Sequence, residues 1–179
     1  ASFATHSGLA TIYGHSPADP TRTAGSPTAE FAGRRQGILM RVPYLASAKS
    51  RTNLVNRGVK FRRRVLCEDL PTPSADILAQ RMAFDPTPAE ALNMTTREFV
   101  TRETDSPVCQ TCHARINPTG FVFENFDPLG RIRTGEQIYD STGTFVRTLP
   151  VDSTSQVPLW DSTTMQAADA YDLVSQVAT

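Results

Sequence analysis

The stretch Cys109-Gln110-Thr111-Cys112-His113 sets two thiols three residues apart and places an imidazole directly after the second. On a helical turn this spacing brings both sulfurs to one side, with the histidine beside them. Two thiols so placed match two vinyl groups along one edge of a porphyrin, and a histidine at the next position points at the iron. Cys-x-x-Cys-His is the signature of c-type haem attachment. The reading is one covalent haem c on Cys109 and Cys112, with His113 as a metal ligand. Three rivals share the pattern, of which a structural disulfide between Cys109 and Cys112 is strained at this spacing. A dithiol redox pair would need a βαβ setting, which the flanking sequence does not show. Zinc would need a fourth ligand, for which Cys67, His6 and His15 are candidates.

The opposite face of the iron is less determined. Candidates are Met40, Met82, Met94 and Met165, with His6 and His15. Methionine ligation raises the potential relative to a second histidine. Met40 lies in the apolar piece Gly37–Leu45, expected to pack over the haem, and is taken as the second iron ligand and cofactor-binding residue. Taken singly, each methionine suits core filling better than ligation. A filled sixth position means single-electron transfer. An open one would mean an enzyme acting on peroxide or another small ligand. A third reading is a structural module folded around its haem. No catalytic residue is assigned: only three histidines are present, and no glycine-rich phosphate loop appears.

Working outward, Thr95-Thr96-Arg97-Glu98 has the form of a capped helix start leading towards Pro107 and the motif. Further upstream, Leu54, Val55, Val59, Phe61, Val65 and Leu66 recur at helical spacing. The other face of that helix carries Arg57, Lys60, Arg62, Arg63 and Arg64, expected to be solvated; one or two could instead pair with haem propionates or an acidic partner. Residues 71–94 are punctuated by proline, with a short helix around Ile77–Met82. Residues 1–36 read as loop, with a hint of helix at Leu9, Ile12 and Tyr13.

Downstream, Phe121, Val122, Phe123 and Phe126 form an aromatic cluster. Residues 131–147 read as a hairpin turning at Asp140-Ser141-Thr142-Gly143. Thr163–Ala178 reads as one helix, capped by Asp161 or Ser162, with Ala167, Ala170, Tyr171, Val174 and Val177 on one face. Glu124, Asn125 and Asp127 suit local turn bonding, with a calcium site as the sharper alternative.

Composition sets the frame. The 179 residues suffice for one domain of modest core. Lys+Arg and Asp+Glu both number 18, a balance that argues against a general nucleic-acid binder. The apolar share of 39% and the 13 prolines imply long irregular segments around a small core. No apolar run approaches a membrane span. The first residues lack the pattern of an export signal, although haem attachment to this motif happens outside the cytoplasm; a trimmed chain or a piece of a larger one is expected. Cys67 is left over, either as a buried small hydrophobe or as half of a disulfide.

The runs Arg57-Gly58, Arg64-Val65-Leu66-Cys67, Leu70-Pro71-Thr72-Pro73, Thr95-Thr96-Arg97-Glu98 and Cys109–His113 carry a resemblance, as do 117–127 and Gly130-Arg131-Ile132-Arg133. Together they resemble haem-c-containing domains of uncharacterised function from large planctomycete-type and myxobacterial exported cytochrome proteins. The most specific part is Gly120–Arg133. The resemblance implies haem at the motif, placement within a longer protein, and a partner for Cys67 outside this chain. It also implies that 1–36 is the end of a preceding domain and 37–179 the haem c domain. Two departures stand out: the family often has histidine at Glu103 and aspartate at Asn117.

The expected fold is a mainly α, loop-rich cytochrome-c-like haem domain with a small β-hairpin. The expected function is a c-type cytochrome passing single electrons within a larger exported complex, periplasmic or extracellular. Its partners would be a redox protein or other subunits, with no nucleic acid and no transmembrane segment in this chain.

Overall fold

A computed structural model describes residues 7–13, 38–47, 49–81, 85–159 and 163–177. In chain order the helices are α1 (Ser7–Ile12), α2 (Val42–Leu45), α3 (Leu54–Arg64), α4 (Ala75–Arg81), α5 (Pro88–Ala91), α6 (Thr96–Glu103), α7 (Pro107–Phe121) and α8 (Ala170–Val177), with a 3-10 turn at Ile38–Met40. The strands are β1 (Gly135–Tyr139), β2 (Phe145–Pro150), β3 (Ser155–Pro158) and β4 (Thr164–Ala167). They form two separate antiparallel hairpins, β1 with β2 and β3 with β4. The fold is mainly α, as expected, with one hairpin more than the sequence suggested.

α3 starts where Asn53 Oδ1 accepts the Asn56 N–H at 3.1 Å. It then crosses α7 glycine to glycine. A Cβ on Gly58 would stand 2.3 Å from the Ile116 carbonyl oxygen, and one on Gly120 would stand 2.3 Å from the Leu54 carbonyl oxygen. Only a missing side chain on both helices permits so close an approach. The main core lies beside this crossing and includes Met40, Tyr44, Leu45, Phe61, Val122, Phe123, Phe126 and Leu173. Phe123 packs against the Tyr44 and Phe61 rings, with centroids 5.7 and 6.3 Å away.

The basic face of α3 is not solvated as a whole. Arg57 and Arg62 are buried, while Arg63 and Arg64 are exposed. Arg57 gives its five N–H groups to main-chain carbonyls: Nε and Nη2 to Leu45, Nη1 to Phe123 and Phe126, and Nη2 also to Asp127, all at 2.6–3.0 Å. Burial, reinforced by the nearby Arg133, lowers its pKa to about 9. Arg62 ties α3 to α7 and β3 through the Thr119 hydroxyl (3.0 Å), the Pro158 carbonyl (2.8 Å) and Glu68. Periodicity places a side chain on a face; it does not say that irregular backbone will cover that face with unpaired carbonyls. Glu68, paired with Arg62, also meets Arg115 at 2.6 Å.

Several expectations are met. Thr95 and Glu98 form a reciprocal capping box at the start of α6. The hairpin turns where Asp140 Oδ1 accepts from the N–H groups of Thr142 and Thr144, both at 2.9 Å, and Gly143 has a φ of +82°. The short helix near Ile77 is α4, and α5, which the sequence reading lacked, is held by the capping box Thr87–Glu90.

The last segment is a correction. Residues 164–167 pair with β3, and the helix begins only at Ala170. Asp169 is its cap, with Oδ1 accepting the Asp172 N–H at 2.9 Å. Asp161 and Ser162 lie outside the described residues. Ala167 keeps its inward place because strand β4 also points it at the core. One more correction concerns Cys67: it is exposed, with φ +53°, and is not a buried hydrophobe.

Candidate functional site

α7 begins at Ser106, whose hydroxyl accepts the Cys109 N–H at 3.3 Å, and Pro107 occupies its first turn. A proline there loses nothing, because the first N–H groups of a helix have no internal acceptor. The motif therefore falls on regular helix. Cys109 is buried, and Cys112 and His113 are half-buried. All three described cysteines are free thiols. Cys109 and Cys112 lie one turn apart, with His113 next in line, so the helix presents the three groups together.

His113 is held from behind. Its Nδ1 lies 2.8 Å from Asn117 Oδ1, one turn further along α7. Asn117 Nδ2 donates to Thr104 Oγ1 at 2.8 Å, and Thr104 Oγ1 donates to the Val100 carbonyl at 2.7 Å. Gln110 Nε2 donates to the Thr104 carbonyl at 2.7 Å. Thr104 and Asn117 are both buried. The chain of contacts joins the end of α6 to the motif turn of α7. The sequence reading did not include it. Its one legible signal is the separation of four residues between His113 and Asn117, which puts both on one helical face.

Of the other candidates, Met40 is fully buried among the aromatic and aliphatic side chains of the main core. That cluster contains no residue of the motif turn. Met94 is half-buried, and Met165 packs against the edge of the main core. Met82, His6 and His15 lie outside the described residues. No group of three or more histidine, cysteine, aspartate or glutamate side chains among the described residues is placed to hold a metal ion. Cys67 is thus not brought to the motif as a zinc ligand.

The acidic stretch behind α7 is committed to structure. Asp127 Oδ1 accepts from the Leu129 and Arg131 N–H groups at 2.9 and 2.8 Å, and Oδ2 from Arg131 Nε at 2.6 Å. Turn bonding is the role found for Asp127, whereas Asn125 Oδ1 and Glu124 Oε2 are buried without a hydrogen-bond partner. Glu124 is fully buried and accepts the Arg97 N–H at 3.1 Å. Glu136 accepts the Thr96 N–H at 2.6 Å and also the Thr96 hydroxyl. Two carboxylates from beyond the motif thus complete the start of α6, where free N–H groups favour negative charge. Burial raises the Glu124 pKa to about 7, with Glu136 adding to the rise and the Arg97 N–H, Arg133 and the Arg97 side chain opposing it.

Residues 35–136, which include the motif turn and its Asn117 and Thr104 support, match the family model PSCyt3, described as a protein of unknown function (DUF1588). The chain belongs to this family, whose name points to a cytochrome-type domain. No curated protein and no solved structure matches the chain. No helix among the described residues is long and apolar enough to cross a membrane.

Proposed function

We propose that this chain is a c-type cytochrome module that carries one covalent haem c and passes single electrons within a larger exported assembly. The observation that carries the reading is the motif turn itself: two free thiols one turn apart and an adjacent imidazole, on a helix whose start is capped and whose histidine is braced. This donor set fits haem c, with thiols for two thioether links and an imidazole for the iron. When bound, haem supplies a one-electron couple, and the protein supplies ligation, burial and charge.

The chain's own residues divide that work. Ser106 and Pro107 set the helix that spaces Cys109 from Cys112. Asn117 and Thr104 hold the His113 ring. The half-buried state of Cys112 and His113 leaves one side of the motif open to a partner, a redox protein or another subunit. Residues 37–179 would form the haem-bearing unit, with 1–36 belonging to what precedes it. Met40 as second iron ligand would require the iron to reach into the main core. Haem attachment at this motif occurs outside the cytoplasm, so the module would work in the periplasm or outside the cell.

The test is the visible spectrum and intact mass of protein made with export and haem-attachment machinery. Sharp low-spin bands on reduction, and a haem mass that survives denaturation, are expected. Cys109→Ala together with Cys112→Ala should abolish covalent retention, and Met40→Leu should remove any near-infrared methionine band. Protein with no haem absorbance overturns the proposal. A high-spin spectrum that changes with carbon monoxide would replace electron transfer with small-ligand chemistry at an open iron.

A further inference from the structure

We infer that Asn117 is the positioning residue that fixes which ring nitrogen of His113 carries the proton, and that its neutral amide keeps the potential of the centre higher than a charged acceptor would. The inference rests on the reading of His113 as an iron ligand; its geometric half does not.

A threonine hydroxyl has one proton. That of Thr104 is directed at the Val100 carbonyl, 2.7 Å away, with the Thr101 carbonyl a longer 3.4 Å off. Towards Asn117 the same oxygen can only accept. Asn117 must therefore turn its NH2 group to Thr104, at 2.8 Å, and its carbonyl oxygen to His113. An amide carbonyl has no proton to give, so the donor across the 2.8 Å contact is His113 Nδ1. Nε2 then keeps its lone pair, which is what a metal needs. Thr104 and Asn117 are 4% and 6% exposed, so the link between them is shielded from water, while the His113 link is part-buried. The Gln110 side chain, bonded to the Thr104 carbonyl at 2.7 Å, holds the far end of the chain in place.

The chemistry of the acceptor carries the second half. A partner on the remote ring nitrogen tunes a ligating imidazole: the more strongly it pulls the proton, the more charge the ring gives the metal. A carboxylate pulls harder than an amide. Charge given to the metal favours its oxidised state, so an amide here supports a higher potential than a carboxylate would.

Two measurements test the inference on the full chain. In 15N-histidine-labelled protein without haem, at a pH of about 9 where an ordinary imidazole is neutral, the His113 nitrogen shifts should report the Nδ1–H tautomer. Thr104→Val, which removes the acceptor that orients the amide, should erode that preference. In haem-loaded protein, Asn117→Asp should move the reduction equilibrium at least tenfold towards the oxidised state, 59 mV for one electron, with band positions retained. The Asn117–Thr104 wiring is refuted by a dominant Nε2–H tautomer in the unaltered protein, and the tuning role by an unmoved potential in Asn117→Asp. If no haem attaches, the cytochrome reading fails, yet the tautomer measurement still decides the geometric half.

Discussion

At its C-terminal end, α7 meets α3 backbone to backbone at Gly120, with Phe121, Val122 and Phe123 buried and Arg57 closing the surrounding carbonyls. Around its motif turn, nearer the N-terminus, the same helix is held by polar side chains, Ser106 beneath Cys109 and, one turn beyond His113, the Asn117–Thr104 chain, and Cys112 and His113 stay half-open. One end has no slack; the other has directed hydrogen bonds and free chemical groups. The difference separates two kinds of constraint within 15 residues. Close packing fixes where the helix lies, and the polar chain fixes how the His113 ring is held. Changes at the two ends should therefore be read by different instruments, stability for one and cofactor properties for the other.

The largest effects belong to the packed end. Arg57→Leu removes the partner of four buried carbonyl groups and should cost about 3–5 kcal/mol, read from the urea midpoint. Gly58→Ala drives a Cβ against the Ile116 carbonyl and should cost about 1–3 kcal/mol or more, since backbone on both sides must part. If either variant kept full stability, the packed end would not be the fixed one.

A smaller effect is expected at Glu124, which follows α7 yet serves the start of α6. Its pKa is raised in the folded chain, to about 7 from 4.5. The folded state therefore holds the proton more tightly than the unfolded chain does. The stability this contributes is full below about pH 4.5 and is lost as pH rises through about 7. Glu124→Gln should flatten that slope in pH-dependent urea unfolding. An unchanged slope would place the titration elsewhere.

At the motif end stability should move least. Ser106→Ala removes a cap and should cost about 1 kcal/mol. Cys112→Ala, at a half-buried position, should shift the stability of the haem-free chain by roughly 0.5 kcal/mol or less, while halving the covalent links available to haem. A large loss of stability in haem-free Cys112→Ala would erase the contrast between the two ends.

Local signals were legible wherever one short stretch supplies both partners. The Thr95–Glu98 capping box, the Asp140–Gly143 turn and the apolar repeat of α3 are all of this kind. Errors arose where the partner is far along the chain. Residues 164–167 carry apolar spacing that suits a helix, but pairing with Ser155–Pro158 makes them a strand. Arg57 and Arg62 look like part of a solvated charged face, yet carbonyls more than sixty residues away in Phe123, Asp127 and Pro158 draw them inside.

The sequence by itself determined the motif and its place on a helix, because five consecutive residues carry the two thiols and the imidazole and the Ser106 cap lies beside them. It also determined the mainly α class, through periodicity and caps. Only the tertiary structure decided that α3 and α7 touch at Gly58 and Gly120, that two arginines serve as internal braces, and that Asn117 and Thr104 stand behind His113. Each of these joins groups brought together by folding, and a hydrogen bond or a backbone crossing depends on distances in space that spacing along the chain does not encode.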